Sequence, residues 1–269
     1  MSRLERAFRR CRNADRAAFV AYVTAGDPSI PRTVEVATAL ARAGADVLEL
    51  GVPFSDPIAD GPTNQQAAER ALRAGTTLDD VLAAAGSIRT ASDIPLVLFT
   101  YANPVLRRGI DRFATDAAGA GIDGVLFTDV PVEELGPFRR PLRRAGLDPV
   151  LLVTPTSPEA RVRTAARSGA GFLYLVSRTG VTGARAELDP ELAATVRRVR
   201  EVSKLPVAVG FGISTAEQVA KVAALADGVV VGSAIVDQIG AIGDDDRLAG
   251  EVEAFAAGLA AACDRSHGG

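Results

Sequence analysis

Histidine is almost missing from this chain of 269 residues: the single one, His267, lies in the polar tail Arg265-Ser266-His267-Gly268-Gly269, where order is not expected. Ser-His-Asp and Cys-His catalysis are thereby excluded, and carboxylates become the main candidates for proton transfer. Cysteine is nearly as scarce. Cys11 and Cys263 stand near opposite ends, in no metal-binding spacing and too few for a disulfide framework, which points to a reducing cytosol. No metal site is expected. Tryptophan is absent, and lysine occurs only as Lys204 and Lys221, an imbalance towards arginine that fits genomic base composition as well as any physical cause. The net charge of −3 comes without a dense basic block, so no nucleic-acid backbone is an expected partner. Apolar runs such as Pro206–Gly210 and Gly228–Gly232 fall far short of the ~20 residues a membrane helix needs. Met1 to Arg12 is amphipathic and arginine-dotted but has no apolar core with a small-residue cleavage site, so it reads as a helix of the folded protein rather than a signal peptide. No Pro/Gly/Ser-rich linker interrupts the chain, and a single domain over residues 1–269 is expected.

Short β-branched runs alternate with Ala/Arg/Glu-rich stretches of helical spacing. The strand candidates are 18–24, 46–50, 95–100, 124–128, 149–154, 172–177, 206–210 and 228–232. Helix starts are signalled by Ser29 and Pro31, by Pro62, by Ser157 and Pro158, and by Ser214. Gly44, Gly121, Gly146 and Gly169, each just before a strand, suggest left-handed helix ends. The fold class that follows is α/β, a single (β/α)8 TIM barrel with an additional N-terminal helix. A doubly wound open sheet is the alternative. No dinucleotide turn follows the first strand, however, and the unusual residues cluster after strands two, six, seven and eight, whose loops share one face in a barrel.

Val47-Leu48-Glu49-Leu50-Gly51 places a charge inside an apolar strand, with Glu49 on the same side as Val47. Facing the barrel interior, Glu49 would be desolvated, its pKa raised, and able to give and take protons near neutrality. Facing outward, it would meet solvent or an arginine. The segment after it, Gly51-Val-Pro-Phe-Ser-Asp56-Pro-Ile-Ala-Asp60-Gly-Pro62, is restrained by three prolines and carries two aspartates. Asp60 is either a functional carboxylate or a cap for the helix at Pro62, and Asp56 can be a turn residue. Further on, Ser177-Arg-Thr-Gly-Val-Thr182-Gly183, Gly210-Phe211-Gly212-Ile213-Ser214 and Gly232-Ser233-Ala234 are glycine-rich βα loops. Each alone is a tight turn, but the tandem after strands seven and eight suggests a phosphate site made of backbone N–H groups.

The run Leu48-Glu-Leu-Gly-Val-Pro-Phe-Ser-Asp-Pro-Ile-Ala-Asp-Gly-Pro62 resembles the signature of tryptophan synthase α subunits. The likeness extends from Tyr22-Val-Thr-Ala-Gly-Asp-Pro28 through Thr100-Tyr-Ala-Asn-Pro-Val105 and Thr128-Asp-Val-Pro131 to the three glycine loops, from the first strand to the eighth. It implies retro-aldol cleavage of indole-3-glycerol phosphate to indole and glyceraldehyde 3-phosphate. Glu49 would protonate C3 of the indole ring and Asp60 accept the indole N–H. Phosphate contacts would fall to Gly183, Phe211, Gly212, Gly232 and Ser233. Tyr174 would sit near the glyceryl portion, and Thr182 would order Asp60 when the sixth loop closes. Phe19, Tyr22, Leu126 and Val153 are candidates for an apolar indole pocket, although core packing alone explains them. The resemblance also implies a β-subunit partner in an α2β2 heterotetramer, met through Pro53, Phe54, Asp56, Asn103 and Pro104. No cofactor is expected in this chain, and pyridoxal phosphate belongs to the β partner. Asn64 departs from the family pattern, where an apolar residue is usual, and so bears on partner specificity. A stand-alone lyase, a catalytically idle barrel acting as an allosteric subunit, and more distantly a sugar-phosphate epimerase are the competing functions.

Overall fold

In a computed structural model, residues 1–176, 191–210 and 212–265 are described. The elements run α1 (Arg3–Asn13), β1 (Ala18–Thr24), α2 (Ile30–Arg42), β2 (Val47–Gly51), α3 (Pro62–Arg73), α4 (Leu78–Ala91), β3 (Leu96–Thr100), α5 (Ala102–Arg108), α6 (Ile110–Gly119) and β4 (Gly124–Phe127). There follow α7 (Gly136–Arg144), β5 (Asp148–Val153), α8 (Glu159–Ser168), β6 (Leu173–Val176), α9 (Glu191–Val202), β7 (Val207–Gly210), α10 (Ala216–Ala223), β8 (Gly228–Val231), α11 (Ser233–Ile242) and α12 (Leu248–Ala261). Every strand pairs in parallel with the next, and β8 returns to β1, so the sheet closes. The open-sheet alternative is thereby excluded.

Closure separates two apolar layers. Phe19, Ala21, Leu48, Leu50, Leu96 and Leu98 point outward and pack under the helices against Leu40, Ile88 and Phe113. The other side of the same strands presents Ala18, Val20, Val47, Val97, Leu126 and Tyr174 to the lumen. One end of that lumen is plugged by α1. Its start is fixed by a capping box between Ser2 and Glu5, and its buried stripe, Leu4, Ala7, Phe8 and Cys11, joins the lumen residues. Phe8 lies 5.1 Å from Phe172, centroid to centroid. Glycines at the strand feet leave room for this plug: a Cβ on Gly124 would come within 2.9 Å of Leu4, and one on Gly228 within 2.9 Å of Phe8.

Aspartates at the feet of β2, β4 and β8 tie each of these strands to the one before it. Asp46, before β2, accepts the Phe19 N–H at 3.0 Å and pairs with Arg16. Asp123, before β4, accepts the Leu96 N–H at 2.9 Å and pairs with Arg89. Asp227, before β8, accepts the Val207 N–H at 2.9 Å and pairs with Arg200. Each satisfies a buried donor on the preceding strand while its own charge is balanced, which is what a carboxylate in such a place requires.

Several local readings change. Ser29 caps α2 as expected, through the Arg32 N–H. The cap of α10, however, is Thr215 in a capping box with Gln218, while Ser214 bonds to the Gln218 side chain. Ser157 does not cap α8 either, because Pro158 occupies that place and the Ser157 hydroxyl accepts the Thr154 N–H at 3.0 Å. Gly44, Gly121 and Gly146 adopt positive φ at the helix ends, but Gly169 has φ −79 and ψ 174, so it is extended. There a Cβ would crowd the Ala165 and Pro149 carbonyls, at 3.0 and 3.3 Å. Space, not handedness, is what glycine supplies at that position.

Candidate active site

At the end of the barrel opposite α1, the C-terminal ends of the strands surround a cavity of about 180 Å³. Glu49 forms its floor. Parallel register places Glu49 level with Tyr22 on β1 and Val97 on β3, and the two-residue alternation turns all three into the lumen. The Glu49 side chain has no exposed surface, and neither carboxyl oxygen has a hydrogen-bond partner among the described residues. Burial alone pushes its pKa up to about 8. A carboxyl with no compensating charge keeps its proton, because ionising it would place a bare charge in an apolar wall.

Asp60 arrives from the loop after β2. It does not cap α3: Gly61 is the cap residue and offers no side-chain bond. Instead the Tyr101 hydroxyl donates to Asp60 Oδ2 at 2.9 Å and accepts the Ala59 N–H at 3.0 Å. Phe54 packs on the Tyr101 ring, centroids 4.9 Å apart. One tyrosine thus ties the second loop to the start of α5. Burial raises the Asp60 pKa, and the Tyr101 hydrogen bond partly offsets that rise. The two carboxyl groups thus differ, Glu49 being dry and unpartnered and Asp60 half-buried and hydrogen-bonded.

Across the cavity lie Gly212, Gly232 and Ser233, with Tyr174, Phe99, Ile213 and Val230 between. Gly232 precedes α11, a helix of ten residues whose first N–H groups have no intrahelical acceptor and whose dipole favours an anion there. The side walls depend on two close approaches. A Cβ on Gly51 would lie 2.2 Å from the Tyr22 hydroxyl, and one on Gly210 would lie 2.3 Å from the Tyr174 hydroxyl. Only glycine lets these rings lie flat over the neighbouring strand.

Of the expected site residues, Glu49, Asp60, Tyr22, Tyr174, Gly212, Gly232 and Ser233 line this one cavity. Thr182, Gly183 and Phe211 lie outside the described residues. Leu126 is in the lumen, level with Phe99 in the register of β4 on β3, but is not among the residues that line the cavity. Phe19 and Val153 face the other way, into the layer beneath the helices, so neither lines a pocket in the lumen. Phe99, Tyr101, Ile213 and Val230 are not among the expected site residues, and Asn64 is expected to bear only on partner specificity, yet Phe99, Asn64, Ile213 and Val230 line the cavity. The register of β3 on β2 could have found Phe99, two residues beyond Val97, but the contacts of Tyr101 and Asn64 needed the loop geometry. On the rim, Pro53 is buried, Phe54 half-buried, and Asp56 exposed with the Ser55 hydroxyl donating to it at 2.7 Å. Asn103 is exposed and Pro104 half-buried at the start of α5. Beside them Ile58 is 87% exposed and Leu106 58%, unusual for large aliphatic side chains.

A second cavity, of about 230 Å³, opens at the other end between α1 and the foot of β7. Its acids are engaged, Asp227 by Arg200 and Glu5 by the capping box, and the catalytic end of a (β/α)8 barrel is the opposite one. Among the described residues no group of three or more His, Cys, Asp or Glu side chains is placed to hold a metal, and no helix is long and apolar enough to cross a membrane.

A closed parallel barrel, with two unlike carboxyl groups and a helix N-terminus around one cavity at its C-terminal rim, defines a (β/α)8-barrel enzyme built for acid/base chemistry on an anionic substrate. The family follows from comparison with known proteins. The chain belongs to the tryptophan synthase alpha chain family, whose model matches residues 8–264. It is 52% identical to the tryptophan synthase alpha chain of Geobacter sulfurreducens over 236 residues, covering 88% of this chain and 89% of that one. It is 51% identical to that of Solibacter usitatus over 255 residues, covering 95% and 96%. Among solved structures, tryptophan synthase of Mycobacterium tuberculosis superposes with a TM-score of 0.90 at 40% identity, covering 98% of both chains. Tryptophan synthase subunit alpha of Legionella pneumophila gives 0.90 at 37% identity, covering 98% and 99%. The activity that comes with this membership is that of a lyase cleaving indole-3-glycerol phosphate.

Proposed function

We propose that Glu49 and Asp60 carry this cleavage, with the phosphate held at Gly212, Gly232 and Ser233 and the indole lying between Tyr22, Phe99 and the two carboxyl groups. The single observation that carries the reading is the dry, unpartnered Glu49 carboxyl at the floor of the cavity. At neutral pH it holds a proton and has no other group to give it to. It transfers that proton to C3 of the indole, while Asp60 accepts the indole N–H and stabilises the positive charge that develops on nitrogen. The bond from C3 to the adjacent side-chain carbon then breaks, its electron pair returning to the ring. The hydroxyl on that carbon loses its proton to the Glu49 carboxylate and becomes the aldehyde. Glu49 ends protonated again, so the cycle balances and draws on no histidine. Gly183 and Phe211 would add phosphate contacts, and Thr182 would order Asp60 when the sixth loop closes and excludes water.

The chain is further read as one barrel domain over residues 1–269 that works in the cytoplasm without a cofactor of its own. It passes indole to a tryptophan synthase β subunit, which holds pyridoxal phosphate, in an α2β2 heterotetramer. What supports a partner at the catalytic rim is the exposure of Ile58 and Leu106 beside Phe54, Asp56, Asn103 and Pro104. The test is indole release from indole-3-glycerol phosphate, with and without an added β chain. Turnover by the parent that rises on adding the β chain, and falls below detection in Glu49→Gln with folding intact, is expected. Near-normal turnover in Glu49→Gln would overturn the mechanism. A rate indifferent to the β chain would return the protein to a stand-alone lyase.

A further inference from the structure

Among the described residues, four buried side-chain oxygens have no hydrogen-bond partner: Glu49 Oε1, Glu49 Oε2, Asn64 Oδ1 and Asp148 Oδ2. Asp148 sits at the foot of β5, at the plugged end of the barrel. The other three belong to two residues that line the same catalytic cavity. Orphaned polar atoms in a native fold are costly and call for a physical reason. For Glu49 that reason is proton transfer, and the same criterion singles out Asn64.

Asn64 stands in the first turn of α3, which begins at Pro62, and is only half-buried as a residue although its carbonyl oxygen is shut off. Nothing in α3 needs the carboxamide: the helix cap is Gly61, and the carbonyls of Pro57 and Asp60 are taken by Gln65. Rotation about Cβ–Cγ, which is broad and inexpensive for a carboxamide, presents the oxygen to a ligand in the cavity.

We propose that Asn64 is a specificity-determining residue, its carboxamide accepting a hydrogen bond from the middle hydroxyl of the three-carbon chain that joins indole to phosphate. The inference rests on the function proposed above and follows from its inventory of donors. The indole N–H goes to Asp60, and the hydroxyl on the breaking carbon gives its proton to Glu49. The phosphate accepts from backbone N–H groups. The middle hydroxyl is the one substrate donor left without an acceptor, and, Glu49 apart, Asn64 Oδ1 is the one buried side-chain oxygen of the cavity lining that has no donor among the described residues.

The test pairs one substitution with one substrate change. Parent and Asn64→Leu are assayed on indole-3-glycerol phosphate and on its analogue lacking only the middle hydroxyl, 3-hydroxy-3-(indol-3-yl)propyl phosphate. The parent is expected to favour the hydroxylated substrate by about tenfold in kcat/KM, the worth of one buried hydrogen bond, and the leucine variant to lose that preference. The loss should fall on KM more than on kcat. Asn64→Leu should melt at or above the parent temperature, since it removes an unsatisfied group. Should leucine overfill the site and fail to fold, Asn64→Ala gives the same ratio. A preference that survives in the folded variant overturns the proposal. A parent that cleaves neither compound removes the proposed function itself, and this inference with it.

Discussion

Replacing Glu49 with glutamine is expected to abolish indole release and, above acid pH, to make the protein more stable. Folding holds the Glu49 carboxyl in a place where its proton leaves only near pH 8, against an ordinary value of 4.5. Between those two values the folded chain keeps a proton that the unfolded chain has released, so stability falls as pH rises through that window. The full cost of ionising the buried group is about 5 kcal/mol, at about 1.4 kcal/mol for each pH unit between the two values. About 3 kcal/mol of it has accrued by pH 7. Glutamine has nearly the same shape and cannot ionise, so the variant and the parent should coincide near pH 4 and diverge as pH rises. For a chain of this length about 3 kcal/mol corresponds to roughly 6 °C in Tm at pH 7. Thermal unfolding of both proteins by circular dichroism from pH 4 to pH 9 measures it. Equal melting temperatures at pH 8, or a parent that gains on the variant as pH rises, would refute the burial argument on which the proton-donor role depends.

Other outcomes follow from the same geometry. Tyr101→Phe removes the hydroxyl that holds the Asp60 pKa down against burial. The acid limb of the rate profile for indole release should therefore move to higher pH, with a stability loss of about 1 kcal/mol; an unmoved limb would separate Tyr101 from Asp60. Gly210→Ala places a Cβ 2.3 Å from the Tyr174 hydroxyl and must push that ring into the cavity, costing about 1–3 kcal/mol in stability. It should raise KM for the substrate, measured against a melting curve that shows the variant folded. Leu4→Ala empties the plug at the far end, with an expected loss of about 2–5 kcal/mol by denaturant unfolding. Its turnover at 25 °C should stay close to that of the parent, since α1 touches no part of the catalytic rim.

Much of this architecture was readable because its elements obey local rules. Eight β-branched runs separated by helical stretches gave every strand to within a residue at each described end, and the charge at Glu49 stood out inside an apolar strand. The failures also have a physical origin. Phe19 and Tyr22 are three residues apart on β1 and so must face opposite sides. Both are eligible by hydrophobicity, because every residue of β1 is buried and hydrophobicity alone does not tell lumen from outer layer. Val153 was misplaced for the same reason. The alternation that put Glu49 beside Val47 would have excluded Phe19 had the two strands been read together. Asp60, by contrast, is left by local sequence as either a functional carboxylate or a helix cap, because caps are read from sequence distance. Only the approach of Tyr101, 41 residues away, shows that its carboxyl is engaged elsewhere. The sequence neighbourhood of Asn64 bears on partner specificity and leaves catalysis untouched, whereas the first turn of α3 directs it to the cavity wall.

An isolated, protonated glutamate at the floor of the barrel is what the proposed chemistry requires. Titration of glutamate side chains labelled with 13C at the carboxyl carbon, with Glu49 assigned by the signal missing from Glu49→Gln, reads that proton directly. One carboxyl is expected to titrate near pH 8, together with a fall in indole release across the same range. A Glu49 signal that titrates near 4.5 would contradict it.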